Sequence, residues 1–282
     1  MVGQCYAQAL ADQGHRIIGF VDPRPGEALH TLAGTLGADL HAAPGTWMQE
    51  ADLVISAVFG TVALEVARQT FPHLRSGTLY ADMTTADPDD MRQAEEEALA
   101  VGHRFVDVAI TGAVNLSGAR TPLLCSGTAA PEVAALLAEC GAPIRTVGTR
   151  PGDAASLKLL RSIFTKGMEA LAVECLVTAE QKGLRAELHN VLLDIDQGSL
   201  RETMESMVRT HIPHAGRRRN EVVEAQRQMR LAGVEPLVLP AVQQLFERTV
   251  QGQADTPYSG SSTADALAWL ATLARAEAAD RT

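Results

Sequence analysis

The residue pattern of this chain changes at Gly152, and that change constrains its architecture more than any other feature. Before it, short apolar or β-branched runs alternate with alanine-rich segments of helical spacing, the signature of a parallel sheet flanked by helices. After it, every segment through to the C-terminus reads as helix. The strand runs are residues 16–21, 53–58, 78–82, 104–108 and 122–126, and helical spacing appears at 62–69, 88–100 and 131–139. Pro88 and Pro131 suit a first helical turn. The expected fold class is α/β: a doubly wound parallel sheet over residues 1–153, then an all-helical domain over 154–282.

In the helical part, Leu160, Ile163, Phe164, Met168, Leu171, Cys175, Leu176 and Ala179 recur at helical spacing, which predicts one long helix over 156–182 ended by Gly183. Lys158, Ser162, Thr165 and Glu169 fall on another face, as a solvated stripe or a cleft lining would. Further helices are expected at 185–196, 200–210, 220–232, 239–249 and 263–278, with a flexible glycine- and serine-rich stretch at 251–262.

Composition narrows the function. With 46% hydrophobic and 21% charged residues over 282 positions, two ordinary globular domains are expected. The net charge of -10 argues against nucleic acid or an anionic membrane as partner, because both select clustered lysine and arginine. A small-molecule substrate is expected instead. The four cysteines lie far apart, without zinc-site spacing, and read as reduced thiols of a cytoplasmic protein; no metal is expected. No apolar run approaches the roughly 20 residues that span a bilayer.

Two segments carry chemistry. The chain opens Met1-Val2-Gly3-Gln4, runs through an amphipathic helix to Gly14, then through an apolar strand to Asp22. This matches the second half of a Rossmann-like βαβ dinucleotide unit, in which a glycine-rich turn approaches the pyrophosphate and a later acid binds ribose hydroxyls. Gly3 would be the third glycine and Asp22 the acid. The first strand and the first two glycines are absent from the sequence, so the sheet is expected to lack a central strand, through a misplaced start or a true truncation. Asp22 would repel a 2′-phosphate and favours NAD, while Arg24 would suit NADP, so either cofactor is expected with a lean toward NAD. The second segment, residues 148–158, is a glycine-rich turn that delivers Lys158 to the start of the long helix. A lysine beside an apolar or cationic pocket exchanges protons near neutral pH, which makes Lys158 the candidate general acid/base.

Taken together, these segments resemble the β-hydroxyacid dehydrogenases, the family of 3-hydroxyisobutyrate and 6-phosphogluconate dehydrogenases. The resemblance covers about the first 180 residues. Asp107-Val108-Ala109-Ile110-Thr111-Gly112-Ala113 is similar to the family's substrate-carboxylate segment, which implies that role for Thr111 and Gly112, with Ala113 in place of a second glycine. Residues 81–85, ending in Thr84 and Thr85, resemble the strand end that meets the nicotinamide ribose, and Ser56-Ala57-Val58 the one before it. The turn at 148–158 resembles the one ending in the family's catalytic lysine. Ser162 stands where the family usually has asparagine, so the substrate must be placed differently or be bulkier. The resemblance also implies a homodimer.

Arg161, near Lys158, and the basic run 211–219, with His214 and Arg217 before an expected helix, are candidate ligands for an anionic substrate. The expected function is NAD(P)-dependent hydride transfer to or from a small hydroxyacid-type substrate. The alternatives are an imine reductase, which commonly replaces the lysine, and a non-catalytic remnant that binds neither cofactor.

Overall fold

The computed structural model describes residues 1–280, apart from the side chains of 194 and 276–280. The chain divides into two units, Met1–Ile163 and Phe164–Thr282. The first carries seven strands among the described residues: β1 Gly19–Val21, β2 Asp39–His41, β3 Leu53–Ser56, β4 Leu79–Asp82, β5 Arg104–Ile110, β6 Leu123–Ser126 and β7 Ile144–Thr146. Its helices are α1 Val2–Asp12, α2 Glu27–Leu36, α3 Ala63–Thr70, α4 Pro88–Ala100, α5 Val114–Ser117 and α6 Ala130–Ala138. A long helix, α7 Asp153–Gln181, starts in this unit and continues into the next.

The strands form two sheets, β1-β2 and β3-β4-β5-β6-β7. In a dinucleotide fold of strand order 3-2-1-4-5-6, the first strand lies between the counterparts of β1 and β3. The break between the sheets falls at that place. One expectation needs correction: β6 runs antiparallel to β5, with Ile110 opposite Leu123 and Asp107 opposite Ser126. The connection from β5 to β6 holds the four-residue α5 and one 3-10 turn at Gly118–Arg120, and no helix long enough to carry the chain back for a parallel pair.

Strand alternation sorts the core into two layers. Leu79, Ala81, Val106 and Val108 pack with Tyr6 of α1 and with Val133 and Leu137 of α6. On the opposite face, Tyr80 and Phe105 stack with centroids 5.7 Å apart and pack with Phe71, Met91, Ala94 and Ala155. By the same period of two, Asp82 and Asp107 follow Tyr80 and Phe105 on this second face. They are partners in the β4-β5 register, and both are fully buried.

The second unit is helical, with α8 Arg185–Val191, α9 Leu193–Asp196, α10 Leu200–Leu231, α11 Leu239–Asp255 and α12 Thr263–Asp280. A Ser199–Glu202 capping box starts α10. Two expected helices, 200–210 and 220–232, are one. Pro213 removes a single backbone donor, and α10 carries through it because Ile212 and Ala215 on either side are buried, Ile212 against Ala266 and Trp269. The basic run 211–219 therefore lies within a helix and does not precede one. Likewise α11 extends through Asp255, into the stretch expected to be flexible. The Glu174 carboxylate of α7 accepts backbone N–H bonds from Leu237, Val238 at 2.6 Å and Leu239 at 3.3 Å, satisfying donors at the start of α11. No helix among the described residues is long and apolar enough to cross a membrane.

The Tyr80–Phe105 layer supports the face on which the buried carboxylates sit. Phe105→Ala should lower unfolding free energy by about 3–5 kcal/mol, read by urea unfolding of a Trp269→Phe background in which Trp47 reports on the first unit. A loss below about 1 kcal/mol would show that this layer is not what holds the sheet.

Candidate active site

The start of α7 is tied to the sheet by one buried carboxylate. Asp107 Oδ2 accepts hydrogen bonds from Ser126 Oγ at 3.0 Å, the Gly152 backbone N–H at 2.9 Å and the Ala155 N–H at 3.0 Å. Ser126 Oγ in turn accepts from Ala154 N–H at 3.0 Å. These contacts satisfy donors that a helix start leaves without intrahelical partners. The close approach requires glycine at 152: its φ is 90°, and a Cβ there would meet the Pro88 carbonyl oxygen at 2.5 Å.

Lys158 emerges one turn later and donates from Nζ to the Thr85 hydroxyl. Thr85 lies just past the end of β4, so the amine stands at the carboxyl end of the parallel strands, where doubly wound sheets bind their ligands. Burial disfavours the ammonium and pushes the Lys158 pKa below the ordinary lysine value; Asp107 opposes this shift and Arg161 adds to it.

The other expected residues fall around this tip with different degrees of commitment. Ser56 is buried at the end of β3, while Val58 is exposed. Gly3, in the first turn of α1, packs against Ala57, and a Cβ at Gly3 would lie 3.6 Å from that of Ala57. Asp22 follows β1, and its Oδ1 accepts from the backbone N–H of Arg24 at 2.8 Å; Arg24 itself is exposed. Thr84 is buried and turned inward, with its N–H donating at 2.8 Å and its hydroxyl bonded to Asp82 Oδ1, so its side chain serves the buried carboxylate. Thr85 is the one of this pair that reaches Lys158. Thr111 donates from Oγ1 to the Pro122 carbonyl at 3.0 Å. Gly112 is held close to Thr121, whose Cγ2 a Cβ at 112 would meet at 2.8 Å. Ala113 caps the short α5. Ser162 donates its hydroxyl back to the Lys158 carbonyl at 3.0 Å, and Arg161 is exposed. His214 and Arg217 belong to the second unit as exposed residues of α10, and the Arg217 guanidinium pairs with Glu221 one turn away.

Two residues of this tip had no role assigned from sequence. Asp107 was legible only as part of the strand-end segment, although a charge in the middle of an apolar run is a signal. Gly60 is the other: a Cβ there would fall on the Thr85 carbonyl oxygen, so glycine lets the segment after β3 press against the turn that holds Thr85.

Residues 1–148 match the NAD-binding domain of 6-phosphogluconate dehydrogenase. The chain belongs to that family, the β-hydroxyacid dehydrogenases. Its residues 179–249 match a domain of unknown function, within the helical unit. A solved conserved protein of unknown function, described as structurally similar to 3-hydroxyacid dehydrogenases, is 30% identical, with 89% of this chain and 93% of that one covered and a TM-score of 0.59. An imine reductase variant from Myxococcus stipitatus, solved with NAD+, shares 18% identity over 95% of this chain and 96% of its own, with a TM-score of 0.75. A reductive aminase from Aspergillus terreus, solved with NADPH4, shares 19% identity over 95% of each chain, with a TM-score of 0.72. The last two show a shared fold. This β-hydroxyacid dehydrogenase homologue is an NAD(P)-dependent oxidoreductase.

The residues present suit the ribose and nicotinamide ends of such a cofactor. Asp22 stands at a strand end with its side chain partly exposed, and Gly60 and Thr85 bring backbone and hydroxyl together beside Lys158. The site's electrostatics are directly measurable because the chain has only three lysines, Lys158, Lys166 and Lys182. After reductive methylation with 13C-formaldehyde, the Lys158 resonance should titrate below the ordinary lysine value, since burial favours the neutral amine. A midpoint at or above that value would contradict the burial seen here.

Proposed function

We propose that this protein transfers hydride between NAD(P) and a small hydroxyacid-type substrate, with Lys158 as general acid/base. The observation that carries the reading is the Lys158 amine, partly buried and hydrogen-bonded to Thr85 at the carboxyl end of β4. Bound NAD(P) supplies the hydride acceptor for oxidation and the donor for reduction. In oxidation the neutral Lys158 amine takes the proton of the substrate hydroxyl; in reduction its ammonium returns one to the forming alkoxide. The lowered pKa suits both tasks, because an amine with the ordinary lysine value would remain protonated near neutral pH. Thr85 holds the amine by accepting its hydrogen bond. Thr111 and Gly112 orient the substrate carboxylate, with the exposed Gly112 backbone as the point of approach. Ser162 commits its hydroxyl hydrogen to the Lys158 carbonyl, so toward substrate it acts as an acceptor. Arg161 adds positive charge near an anionic substrate, and His214 and Arg217 are weaker candidates because the Arg217 charge is already paired.

Gly3 with Ser56, Ala57 and Val58 would line the cofactor, with Thr84 holding their turn in shape through Asp82. Asp22 would take ribose hydroxyls, which favours NAD over NADP, and Arg24 is free to swing on the exposed side. We place the enzyme in the cytoplasm, consistent with four unpaired thiols, and as a homodimer. The support for a dimer is the apolar side of α7 and α8 left uncovered in one chain, with Ile163 73% and Val191 72% exposed.

Lys158→Ala should lower turnover about 100-fold or more while NADH affinity, read by fluorescence titration, stays nearly intact; equal turnover ends the acid/base role. NADH should bind at micromolar levels and more tightly than NADPH, and binding of neither would leave the remnant reading standing. Imine reduction is the second reading, favoured by the closer fold match to the imine reductase. Activity on cyclic imines with none on 2- or 3-oxoacids would select it. Sedimentation equilibrium at micromolar concentration should give a dimer that Ile163→Glu weakens, and a wild-type monomer would refute the pairing.

A further inference from the structure

We propose that Asp107 is the positioning residue of this site, a buried carboxylate that fixes the first turn of α7 and, when ionised, sets a negative charge behind the Lys158 amine. The inference rests on the reading of Lys158 as the proton-transfer group. A cap that served the fold alone would need no charge, because a serine or asparagine satisfies helix-start donors as well. Here the sheet offers a carboxylate, fully buried on the face that carries Ala155. All three of its donors converge on Oδ2, while Oδ1 has no hydrogen-bond partner among the described residues. Burying that second oxygen has a cost.

The geometry links the two groups. Ala155, whose N–H binds the carboxylate, and Lys158 are three residues apart and so lie on one face of α7. Side chains tilt toward a helix N-terminus, which carries the lysine stem back over the turn that Asp107 holds. Thr85 then receives the amine at the other end. Asp107 thereby sets both the rotation of α7 about its axis and the field at its first cation.

Charged and titratable groups surround the pair, and on α4 Arg92, paired with Asp89, lies beside Gly152. Asp82 on β4 repels Asp107 and is itself tied to Thr84; Cys125 on β6 has its thiol pushed up to about 12 by burial and by Asp107; Arg161 on α7 works against the Lys158 ammonium. Burial raises the Asp107 pKa, and the Ala155, Ser126 and Gly152 donors hold it down. The negative charge favours the ammonium form of Lys158, opposing burial and Arg161. Removing it must therefore move the Lys158 titration to lower pH. During reduction, the alkaline limb, on which turnover falls as the ammonium is lost, must shift the same way.

Asp107→Asn keeps an oxygen acceptor at Oδ2 and deletes the charge. In the full chain, with all three lysines 13C-methylated, its Lys158 resonance should titrate at lower pH than in wild type, with the Lys166 and Lys182 resonances as internal references. At neutral pH, Lys158 should be methylated faster by a factor of about three or more. An unchanged midpoint and rate would overturn the proposal. The reciprocal measurement does not depend on that variant folding. In Lys158→Met, the Asp107 carboxyl carbon should titrate at higher pH than in wild type, because coupling between two ionisable groups acts equally on both. The same midpoint in both proteins would also overturn it. Both titrations are read without substrate or cofactor, so their outcome is separate from turnover by Lys158→Ala, which tests the acid/base reading.

Discussion

One carboxylate oxygen, Asp107 Oδ2, receives a hydroxyl from β6 and two backbone N–H groups from the start of α7. Through it the longest strand, β5, is joined to the helix that carries Lys158. The arrangement is possible because Asp107 lies on the same face of the sheet as Phe105, where α4 and the start of α7 pack, and because Gly152 lets the chain turn where a Cβ would strike the Pro88 carbonyl. Hydrogen bonds to a buried charged group are among the stronger ones a fold can make.

Much of this was legible in the amino-acid sequence, and the parts that were not have physical reasons. The runs at 53–58, 78–82 and 104–108 stood out because buried strands are nearly continuous in apolar residues. Strands β2 and β7 have only three residues each, too few for a period to show. The reversed direction of β6 left no trace either, since an apolar run has no polarity along the chain. Pro213 and the arginines around it read as a helix boundary, but the burial that carries α10 through them comes from Ala266 and Trp269, more than fifty positions away. The glycine-rich turn before Lys158 was recognisable from its local chemistry. The partner that orients it, Asp107, lies 48 residues from Ala155 and could be identified only once β5 and α7 were side by side.

The site therefore has two tiers. Lys158 and Thr85 meet at the strand ends, where a substrate and cofactor have access; Asp82, Asp107, Ser126 and Thr84 lie behind them, buried and hydrogen-bonded to one another or to backbone. Under the proposed hydride transfer to or from a carbon–oxygen bond, a proton must move with the hydride, and this tier structure would hold the group that moves it. The break between the β1-β2 sheet and the five-stranded one leaves the Lys158 corner intact, since the contacts that position Lys158 come from β4, β5, β6 or the turns beside them.

The central claim is that the Lys158 amine stands where hydride is exchanged, and a crystal structure of the protein soaked with NAD+ tests it most directly. The account predicts density for the nicotinamide ring at the carboxyl ends of β3 and β4, beside Thr85, with the Lys158 amine facing the carbon that exchanges hydride across a space sized for a small acid. A nicotinamide ring bound elsewhere on the chain, with the Lys158–Thr85 contact remote from it, would contradict the account.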